Sequence, residues 1–281
     1  MDNMQALRLE SRHRPSPVDH PPQGKRRYKL IVEYDGTAYC GWQRQANGPS
    51  IQQALEEALA RLTGEAVSVV GSSRTDAGVH ARGLCAHVDS AARIPPEKIS
   101  FALNTLLPPD IRVRESSEAP CGFHARYAAR GKVYRYVFCN ARHMCAIGRQ
   151  YRAHVPLPLD VERMRLEAQS LLGTHDFSAF AASGSEAQST VRTLYRVQVQ
   201  RRGEDVEITV LGDGFLYNMV RILAGTLEEV GTGRREPGAI ARAIHTGDRL
   251  ALGHTAPACG LTLMAVLYGG DEEAALAYFK E

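Results

Sequence analysis

The sequence has no uninterrupted run of eighteen apolar residues among its 281 positions, so it lacks the usual pattern of a membrane-spanning helix. The first 27 residues also lack the apolar centre of a signal peptide. We therefore expect a cytoplasmic protein without a membrane partner. An apolar content of 44% is enough to bury a good core in one large domain or in two of ordinary size.

Cysteine is scarce and scattered, with six residues and no C-x-x-C pair. A chain of this length does not need disulfide bonds for stability, so we interpret the cysteines as reduced thiols. Cys85 with His87, and Cys121 with His124, could form a split zinc site. The single residue between Cys85 and His87 is a poor spacing for metal ligands, however, and we expect no metal.

Lysine is also rare, because only five of the 34 basic residues are lysines and the others are arginines. The planar guanidinium suits phosphates and stacked bases better than a point charge does, which favours a nucleic-acid partner. A GC-rich genome would produce the same bias without functional meaning, and composition does not separate the two explanations. The net charge of +3 is too modest to predict a polyanionic partner by itself.

Apolar periodicity and turn residues predict two α+β halves, at 26–120 and 121–270, between a flexible tail at 1–25 and a C-terminal extension at 271–281. The first half has predicted strands at 27–36, 66–71, 83–90 and 111–115 and helices at 50–62 and 97–106. The second half has predicted strands at 132–140, 191–200, 205–211 and 260–269 and helices at 159–172, 215–230 and 237–246. This element order favours an open α+β sandwich over a doubly wound parallel sheet.

The helix at 50–62 carries the clearest local signals. Ser50 and Gln53 have the spacing of a capping box, in which each side chain bonds the backbone N–H of the other. Gly64 follows the last turn and is typical of a helix C-terminus. We expect both ends of this helix to form as the pattern indicates.

The sequence GSSRTDAGVH, residues 71–80, is the strongest candidate for a reactive site. Gly71 and Gly78 have no Cβ, so backbone can approach a ligand closely on either side of Asp76. Arg74 lies two residues from Asp76 and can bind a phosphate or keep the carboxylate ionised. The alternative is a hairpin turn in which Asp76 caps its own backbone and Arg74 is solvated.

Two aromatic residues are candidates for stacking on a nucleotide. Trp42, the only tryptophan, lies in a glycine-rich loop beside Gln43 and Arg44, a trio suited to stacking on a base and hydrogen bonding with it. Tyr134 lies near the start of the predicted strand at 132–140 and could present its ring and hydroxyl to a flat substrate. The alternative for each ring is packing in the core.

Two further polar features interrupt otherwise ordinary segments. The sequence FHAR at 123–126 forms a cluster whose simplest explanation is a solvated connection. Arg221 falls at the margin of the apolar face of the predicted helix at 215–230. A charge against the core needs a hydrogen-bonded partner, so we expect a carboxylate there, with Asp76 as a candidate. The alternative is that the Arg221 side chain extends to water.

Seven motifs in order resemble the tRNA pseudouridine synthase A family, over residues 27–269. They are EYDGTAYCGWQRQ, RTDAGVHARG, FHAR, GKVYRY, DFSAF, FLYNMVR and GLTLMAV. The resemblance implies a cofactor-free isomerase that breaks the N1–C1′ bond of uridine and rejoins the uracil through C5. Similar proteins act as homodimers on uridines 38, 39 and 40 of the tRNA anticodon arm. The implied fold has two ferredoxin-like halves with joined antiparallel or mixed sheets, helices on one face and an active cleft between the halves.

The resemblance also implies roles for individual residues. Asp76 matches the catalytic aspartate, and Arg74 and Arg221 match the basic residues around it. Tyr134 matches the residue that stacks on the target base, and Leu261 matches a residue that lines the floor of the pocket. Four more residues expected to bind substrate lie inside the matching motifs: Gly78, His80, Trp42 and Arg44.

Two positions depart from the family pattern. Ser73 stands where a second glycine is usual, and its side chain adds a Cβ to a tight loop. Leu84 stands where a glutamine is frequent, and we expect it to alter RNA contacts more than chemistry.

Two other classes of protein remain as alternatives. An inert RNA-binding protein on the same scaffold would keep the arginines but would not need Asp76. A glycoside hydrolase would need a second acid near Asp76, and the sequence 71–80 contains none.

Overall fold

The computed structural model of the chain describes residues 20–120, 122–182, 184 and 188–280. The predicted tail at 1–25 therefore lies outside the described residues except for its last six positions, and Cys121 lies outside them too. The described residues divide into two compact units. The N-terminal unit takes those of 20–130 and Leu263–Tyr268, and the C-terminal unit takes Gly131–Thr262 and 269–280. Every helix in the described ranges falls short of the length and apolarity that a bilayer crossing requires.

In the N-terminal unit the elements follow the order βαββαβ. The strands are β1 (Arg26–Tyr34), β2 (Val69–Gly71), β3 (His80–Ser90) and β4 (Ile111–Glu118). The helices are α1 (Ile51–Thr63) and α2 (Ile99–Asn104). The four strands pair antiparallel in the order β4, β1, β3, β2. This arrangement is ferredoxin-like and confirms the fold expected for this part of the chain.

Alternate side chains of β1 form the centre of this unit's core. The four inward residues are at most 2% exposed: Tyr28, Leu30, Val32 and Tyr34. The period of two in the sequence predicts this face. Helix α1 adds Ile51, Leu55, Ala58 and Leu59, which are also buried. Full burial of each large apolar side chain contributes about 1.5–3 kcal/mol relative to exposure, so these two elements supply much of the core.

The local signals of α1 are confirmed in part. The Ser50 hydroxyl accepts a hydrogen bond from the N–H of Gln53 at 3.3 Å, and Gly64 ends the helix with a φ of 76°. The Gln53 amide reaches forward to Glu57 at 2.8 Å rather than back to Ser50. Only half of the predicted capping box therefore forms.

In the C-terminal unit, strands and helices also alternate, with additional short elements. The strands are β5 (Gly131–Cys139), β6 (Ala153–His154), β7 (Gly173–Asp176), β8 (Val191–Arg202), β9 (Asp205–Gly212) and the first two residues of β10 (Leu261–Leu267). The helices are α3 (Val161–Ala168), α4 (Met219–Gly231), α5 (Ala239–Thr246) and α6 (Glu272–Leu276). Strands β5, β9, β8 and β7 pair antiparallel in that order, and β6 pairs parallel with β5. The sheet is therefore mixed, and the α+β class is confirmed.

Some predicted element boundaries are wrong, and α4 shows the physical reason. The apolar pattern predicts a helix over 215–230, but α4 begins at Met219 because Asn218 has a φ of 60°. A left-handed residue does not continue a right-handed helix, so the apolar residues before it stay outside α4. The predicted helices at 97–106 and 159–172 are also shorter than expected, because part of each is a 3₁₀ turn. The sequence pattern does not predict β6, β7 or α6.

Helix α5 begins at a buried carboxylate of another helix. Glu167 of α3 is 4% exposed, and its two oxygens accept hydrogen bonds from the N–H groups of Gly238 and Ile240 at 2.6 and 2.7 Å. Gly238 is the N-cap of α5 and has no side chain to satisfy these donors. Glu167 therefore takes the place of an N-cap side chain.

Glu167→Ala is expected to lower the free energy of unfolding by about 1–3 kcal/mol, because two N–H groups lose a buried partner. Urea unfolding of the purified protein measures this loss. Glu162→Ala, at an exposed position of the same helix, is the matched control and should stay within about 0.5 kcal/mol of the parent. Equal losses in the two variants would contradict the capping role.

The segment 253–256 packs on α4 through a glycine and a carboxylate. A Cβ at Gly225 would overlap the carbonyl oxygen of His254, so the glycine lets the two backbones meet. Glu229 accepts hydrogen bonds from the N–H and the ring Nδ1 of His254, each at 3.0 Å, and from Nε of Arg235 at 2.8 Å. Burial alone would raise the pKa of Glu229, but these three bonds outweigh it and lower the pKa to about 2.

We expect the Glu229 contacts to make the free energy of unfolding depend on pH below about 4.5. The pKa in the folded state lies below the ordinary value of 4.5, so this stabilisation is complete above pH 4.5 and is lost as the pH falls towards 2. Glu229→Gln should flatten the fall of the urea midpoint in that window. Exposed Glu236→Gln is the control and should keep the parent slope. If the two variants have the same slope, Glu229 does not carry the effect.

Candidate active-site loop

The candidate loop spans residues 72–79, between β2 and β3. Strand β2 ends at Gly71, and β3 begins at His80 rather than at the predicted residue 83, so both ends of the predicted loop belong to strands. The N–H of Ser72 donates to the carbonyl of Cys85 at 2.8 Å, which continues the β2–β3 pairing by one residue. The loop therefore starts and ends on paired strands.

The glycine-rich segment after β1 supports this loop through main-chain contacts. Gly41 has a φ of 92°, and a Cβ there would overlap the carbonyl oxygen of Thr75 and lie 3.0 Å from the carbonyl carbon of Asp76. The N–H of Trp42 donates to the same Thr75 oxygen at 3.1 Å. Only glycine fits at position 41, and its absence of a side chain lets the two backbones fix the peptides next to Asp76.

Two tyrosines complete the support. The hydroxyls of Tyr34 and Thr75 hydrogen-bond to each other at 2.7 Å, and both residues are buried. The carbonyl of Tyr39 accepts a hydrogen bond from the N–H of Gly78 at 3.3 Å. Burial, and then a 2.8 Å hydrogen bond to the carboxylate of Asp110, raise the pKa of the Tyr39 hydroxyl, so it stays protonated and anchored.

Asp76 stands half-buried on this support, while Arg74 is exposed. The N–H of Val79 donates to the Asp76 carbonyl at 3.1 Å, and Gly78 has a φ of 76°, so a tight turn leads from Asp76 into β3. A backbone turn, which is one part of the alternative interpretation, is therefore present, whereas capping by the Asp76 side chain stays a prediction. The turn occurs together with a rigid support from a second loop, which a simple hairpin turn would not have.

Trp42 and Arg44 occupy different environments although they lie in one loop. The Trp42 side chain is 3% exposed, and a Cβ at Gly71 would lie 2.5 Å from its ring. Packing in the core therefore describes the position of Trp42. Arg44 is exposed, and its guanidinium lies 3.1 Å from the carboxylate of Glu56.

His80 lies at the first position of β3 and is 3% exposed. Its Nδ1 accepts a hydrogen bond from the N–H of Gly36 at 3.0 Å, and the carboxylate of Asp35 lies 3.2 Å from the same nitrogen. A ring protonated at Nδ1 would donate to Asp35 in place of accepting from Gly36. In either form, His80 ties the start of β3 to the end of β1.

The two departures from the family pattern have local explanations. Among the described residues, Asn218 is the one non-glycine residue with a left-handed φ, so Ser73 has an ordinary backbone that does not require glycine. Leu84 is fully buried in β3 opposite Val32. The Leu84 side chain therefore belongs to the core, and its effect on RNA contacts stays a prediction.

Two of the four candidate zinc ligands lie in β3, and Cys121 lies outside the described residues. Cys85 and His87 are buried in β3, and Nδ1 of His87 accepts a hydrogen bond from the N–H of Ala125 at 3.1 Å. Across the described part of the chain, no three His, Cys, Asp or Glu side chains are grouped as metal ligands would be.

The predicted aromatic and apolar contacts of the substrate lie in the C-terminal unit. Tyr134, in β5, is 6% exposed, and its ring meets that of Phe215 edge-on with the centroids 5.1 Å apart. Leu261 is the first residue of β10 and is also buried. Phe215 escapes prediction because the apolar pattern assigns it to a helix, whereas it lies in the connection before α4.

Arg221 lies in the first turn of α4, and two of the groups that it contacts are neutral. Its Nε donates to the carbonyl of Ala256 at 2.8 Å, and its Nη1 donates to the side-chain oxygen of Asn218 at 2.8 Å. The N–H of Ala256 in turn donates to the Arg221 carbonyl at 3.1 Å. The predicted pairing of Arg221 with Asp76 stays a prediction. The sequence analysis does not predict a role for Asn218, although asparagine adopts the left-handed conformation more readily than most residues other than glycine.

Comparison with known proteins gives consistent matches. The model of the family tRNA pseudouridine synthase matches residues 30–128 and 168–269, more than half of the chain. A protein of Acetivibrio thermocellus named tRNA pseudouridine synthase A is 49% identical over 243 residues, which cover 86% of this chain and 100% of the relative. Its namesake from Clostridium kluyveri is 47% identical over 240 residues, with coverages of 85% and 98%.

Solved structures add little to these matches. The crystal structure of the archaeal box H/ACA sRNP Nop10-Cbf5 complex is similar with a TM-score of 0.33 and 13% identity, over 72% of this chain and 42% of the other. A likeness at this level carries no argument.

The matched stretches include the candidate loop with Asp76, as well as Arg221 and Leu261, while Tyr134 lies between them. Both relatives match along nearly their whole length, so the similarity is not confined to isolated motifs. The chain therefore belongs to the tRNA pseudouridine synthase A family, the isomerases that convert uridine to pseudouridine in tRNA.

Proposed function

We propose that this enzyme isomerises uridines 38, 39 and 40 in the anticodon arm of tRNA, and that Asp76 is the residue that acts on the uridine. The observation that carries the proposal is the support of Asp76. The backbone of Gly41 meets the peptide between Thr75 and Asp76, and a turn to Gly78 follows directly. Reacting groups must be held to within about 0.5 Å, and this main-chain support provides such a constraint for a half-buried carboxylate.

The chemistry requires an accessible base and an ionised group. The N1–C1′ bond breaks, the uracil turns, and a C5–C1′ bond forms, while C5 loses a proton and N1 gains one. A uridine within a stem must first leave the stack, which costs roughly a few kcal/mol. The carboxylate of Asp76 acts as a nucleophile or as a base in this sequence, and the nearby Arg74 favours its ionised form.

Of the other predicted site residues, some contact the RNA and others maintain the shape of the candidate loop. We assign Tyr134 to stacking on the flipped base, because Phe215 already fixes the orientation of its ring. Leu261 supplies an apolar surface for the same base, and the exposed Arg44 contacts the RNA backbone. The rest preserve the shape of the loop, since they are buried or form its turn: Trp42, Gly78 and His80.

The homodimer that the family resemblance implies and the cytoplasmic location expected from the sequence are parts of the same proposal. Sedimentation of the purified protein should give twice the chain mass of 30.8 kDa. Sedimentation at the mass of a single chain would contradict the dimer.

Asp76→Asn is expected to reduce isomerisation by at least about a thousandfold, because the variant loses the reacting carboxylate but keeps its shape. The measurement is tritium release from C5-labelled uridine in unmodified tRNA, without added cofactor. Transcripts that carry a single uridine at position 38, 39 or 40 report the target. Affinity for tRNA should stay within about threefold, since the amide is isosteric with the carboxylate.

Asp248→Asn is the matched control for Asp76→Asn. Asp248 is exposed and accepts a hydrogen bond from the N–H of Leu250 at 2.8 Å, a capping role that asparagine fills equally well. This control should release tritium at the parent rate. Unchanged turnover in Asp76→Asn would remove Asp76 from the mechanism, and release only from uridines outside the anticodon arm would remove the proposed target.

Arg221→Leu is expected to cost activity more than folding. A positioned cation at a reaction centre contributes about a hundredfold or more to the rate, whereas losing the hydrogen bonds to Ala256 and Asn218 costs about 1–3 kcal/mol of stability. Tritium release and urea unfolding measure the two effects separately. Arg242→Leu, on the exposed side of α5, is the control. If Arg221→Leu unfolds while the surviving folded fraction has normal specific activity, Arg221 is a structural residue.

A further inference from the structure

The sequence FHARYAAR, residues 123–130, is attached firmly to the N-terminal unit. The guanidinium of Arg27 donates to the carbonyl of Phe123 at 2.7 Å. The hydroxyl of Tyr268 donates to the carbonyl of Ala125, also at 2.7 Å. These bonds hold the backbone of the segment from two sides, so it is not a loosely solvated connection.

His124 organises the turn that follows. Its Nδ1 accepts hydrogen bonds from the N–H groups of Arg126 and Tyr127 at 3.2 and 3.3 Å, and its carbonyl accepts one from Ala128 at 2.9 Å. The His124 ring stacks on the Tyr127 ring, with centroids 4.2 Å apart and an interplanar angle of 28°. The rings of His87 and His124 also pack edge to face, with their centroids 4.7 Å apart.

The same turn presents aromatic and basic groups to solvent. Tyr127 remains 38% exposed although its orientation is fixed. Arg126 is exposed with its guanidinium carbon 6.0 Å from the centre of the Tyr127 ring, and Arg130 is exposed as well. The sequence 122–130 contains no acidic residue that would neutralise these charges locally. We refer to His124, Arg126, Tyr127 and Arg130 as the FHAR platform.

An oriented ring beside guanidinium groups suits a strand of RNA. The ring offers a face or edge to an unstacked base, and arginine binds phosphate through its fork or stacks on a base. The ring is pre-oriented by His124, so little side-chain entropy is lost on binding. The net charge of +3 conceals this local concentration of positive charge.

The platform lies away from Asp76 along β3. The loop begins at Ser72, which pairs with Cys85, but the Asp76 carbonyl bonds to the N–H of Val79, next to the start of β3. His80 stands at the loop end of the strand, and His87, which contacts His124, is seven positions further on. At about 3.3 Å per residue, the separation along the strand is on the order of 20 Å. A group bound at the platform is therefore not the uridine that reacts beside Asp76.

We propose that the FHAR platform is a second tRNA contact, which binds the sugar–phosphate backbone and one unstacked base at a distance from the reacting uridine. The proposal rests on tRNA as the substrate of the family and not on the role of Asp76. The partner is RNA, because the exposed groups of the platform are cationic and aromatic.

The test is the affinity of the purified full chain for an unmodified tRNA transcript at several salt concentrations. Arg126→Gln should raise Kd about fivefold or more and flatten the slope of log Kd against log salt by about one, because one phosphate contact is lost. Tyr127→Ala should also raise Kd about fivefold or more but leave the slope unchanged, since stacking involves no counterion release. Tyr127→Phe keeps the ring and should bind within about twofold of the parent.

Arg61→Gln is the matched control, because it removes one exposed arginine from the last turn of α1 in the same unit. Losses of affinity in Arg126→Gln and Tyr127→Ala no larger than in Arg61→Gln would overturn the proposal. If Tyr127→Ala lowers the unfolding midpoint, the affinity of Arg126→Gln alone tests the proposal, since the exposed Arg126 side chain can be replaced without loss of stability. Failure of the Asp76 assignment is separate, because it appears in tritium release and not in these affinities.

Discussion

The geometry of the candidate site depends on one close contact between two main chains. Gly41 lies against the peptide between Thr75 and Asp76 so closely that no other residue fits. A Cβ at Gly36 would likewise overlap the carbonyl of Val79, at the far end of the loop. Two glycines of one segment thus contact the middle and the far end of the candidate loop. Because main-chain contacts involve no rotamers, they hold Asp76 more rigidly than side-chain packing would.

The C-terminal unit uses a similar device around Arg221. Gly225 lets the backbone of the segment 253–256 approach α4, and the N–H and carbonyl of Ala256 both bond to Arg221. Two of the groups that orient the guanidinium, the Ala256 carbonyl and the Asn218 side chain, are thus uncharged. Asn218 adds a third contact because its left-handed backbone places the residue at the start of the helix.

Recognition of a large polyanion does not require a large net charge in this protein. Acidic residues offset most of the arginines, as the pair formed by Arg44 and Glu56 illustrates. What matters is the local arrangement, in which the FHAR platform places arginines beside an oriented ring without a carboxylate in the same stretch of sequence. Such an arrangement favours contacts at defined points of an RNA over diffuse attraction.

Much of the fold and the family could be predicted from the sequence alone. The alternation in β1 specifies its buried face, Ser50 and Gly64 mark the ends of α1, and the order of motifs identifies the family and the position of Asp76. These features are local, because propensity, period and capping act over a few residues. The tertiary structure alone decided that Trp42 and Leu84 are buried, that α4 begins after Asn218, and that Arg221 bonds to the Ala256 carbonyl. The reason is that these outcomes depend on which distant backbone or side chain meets the residue, and a periodic pattern carries no information about that partner.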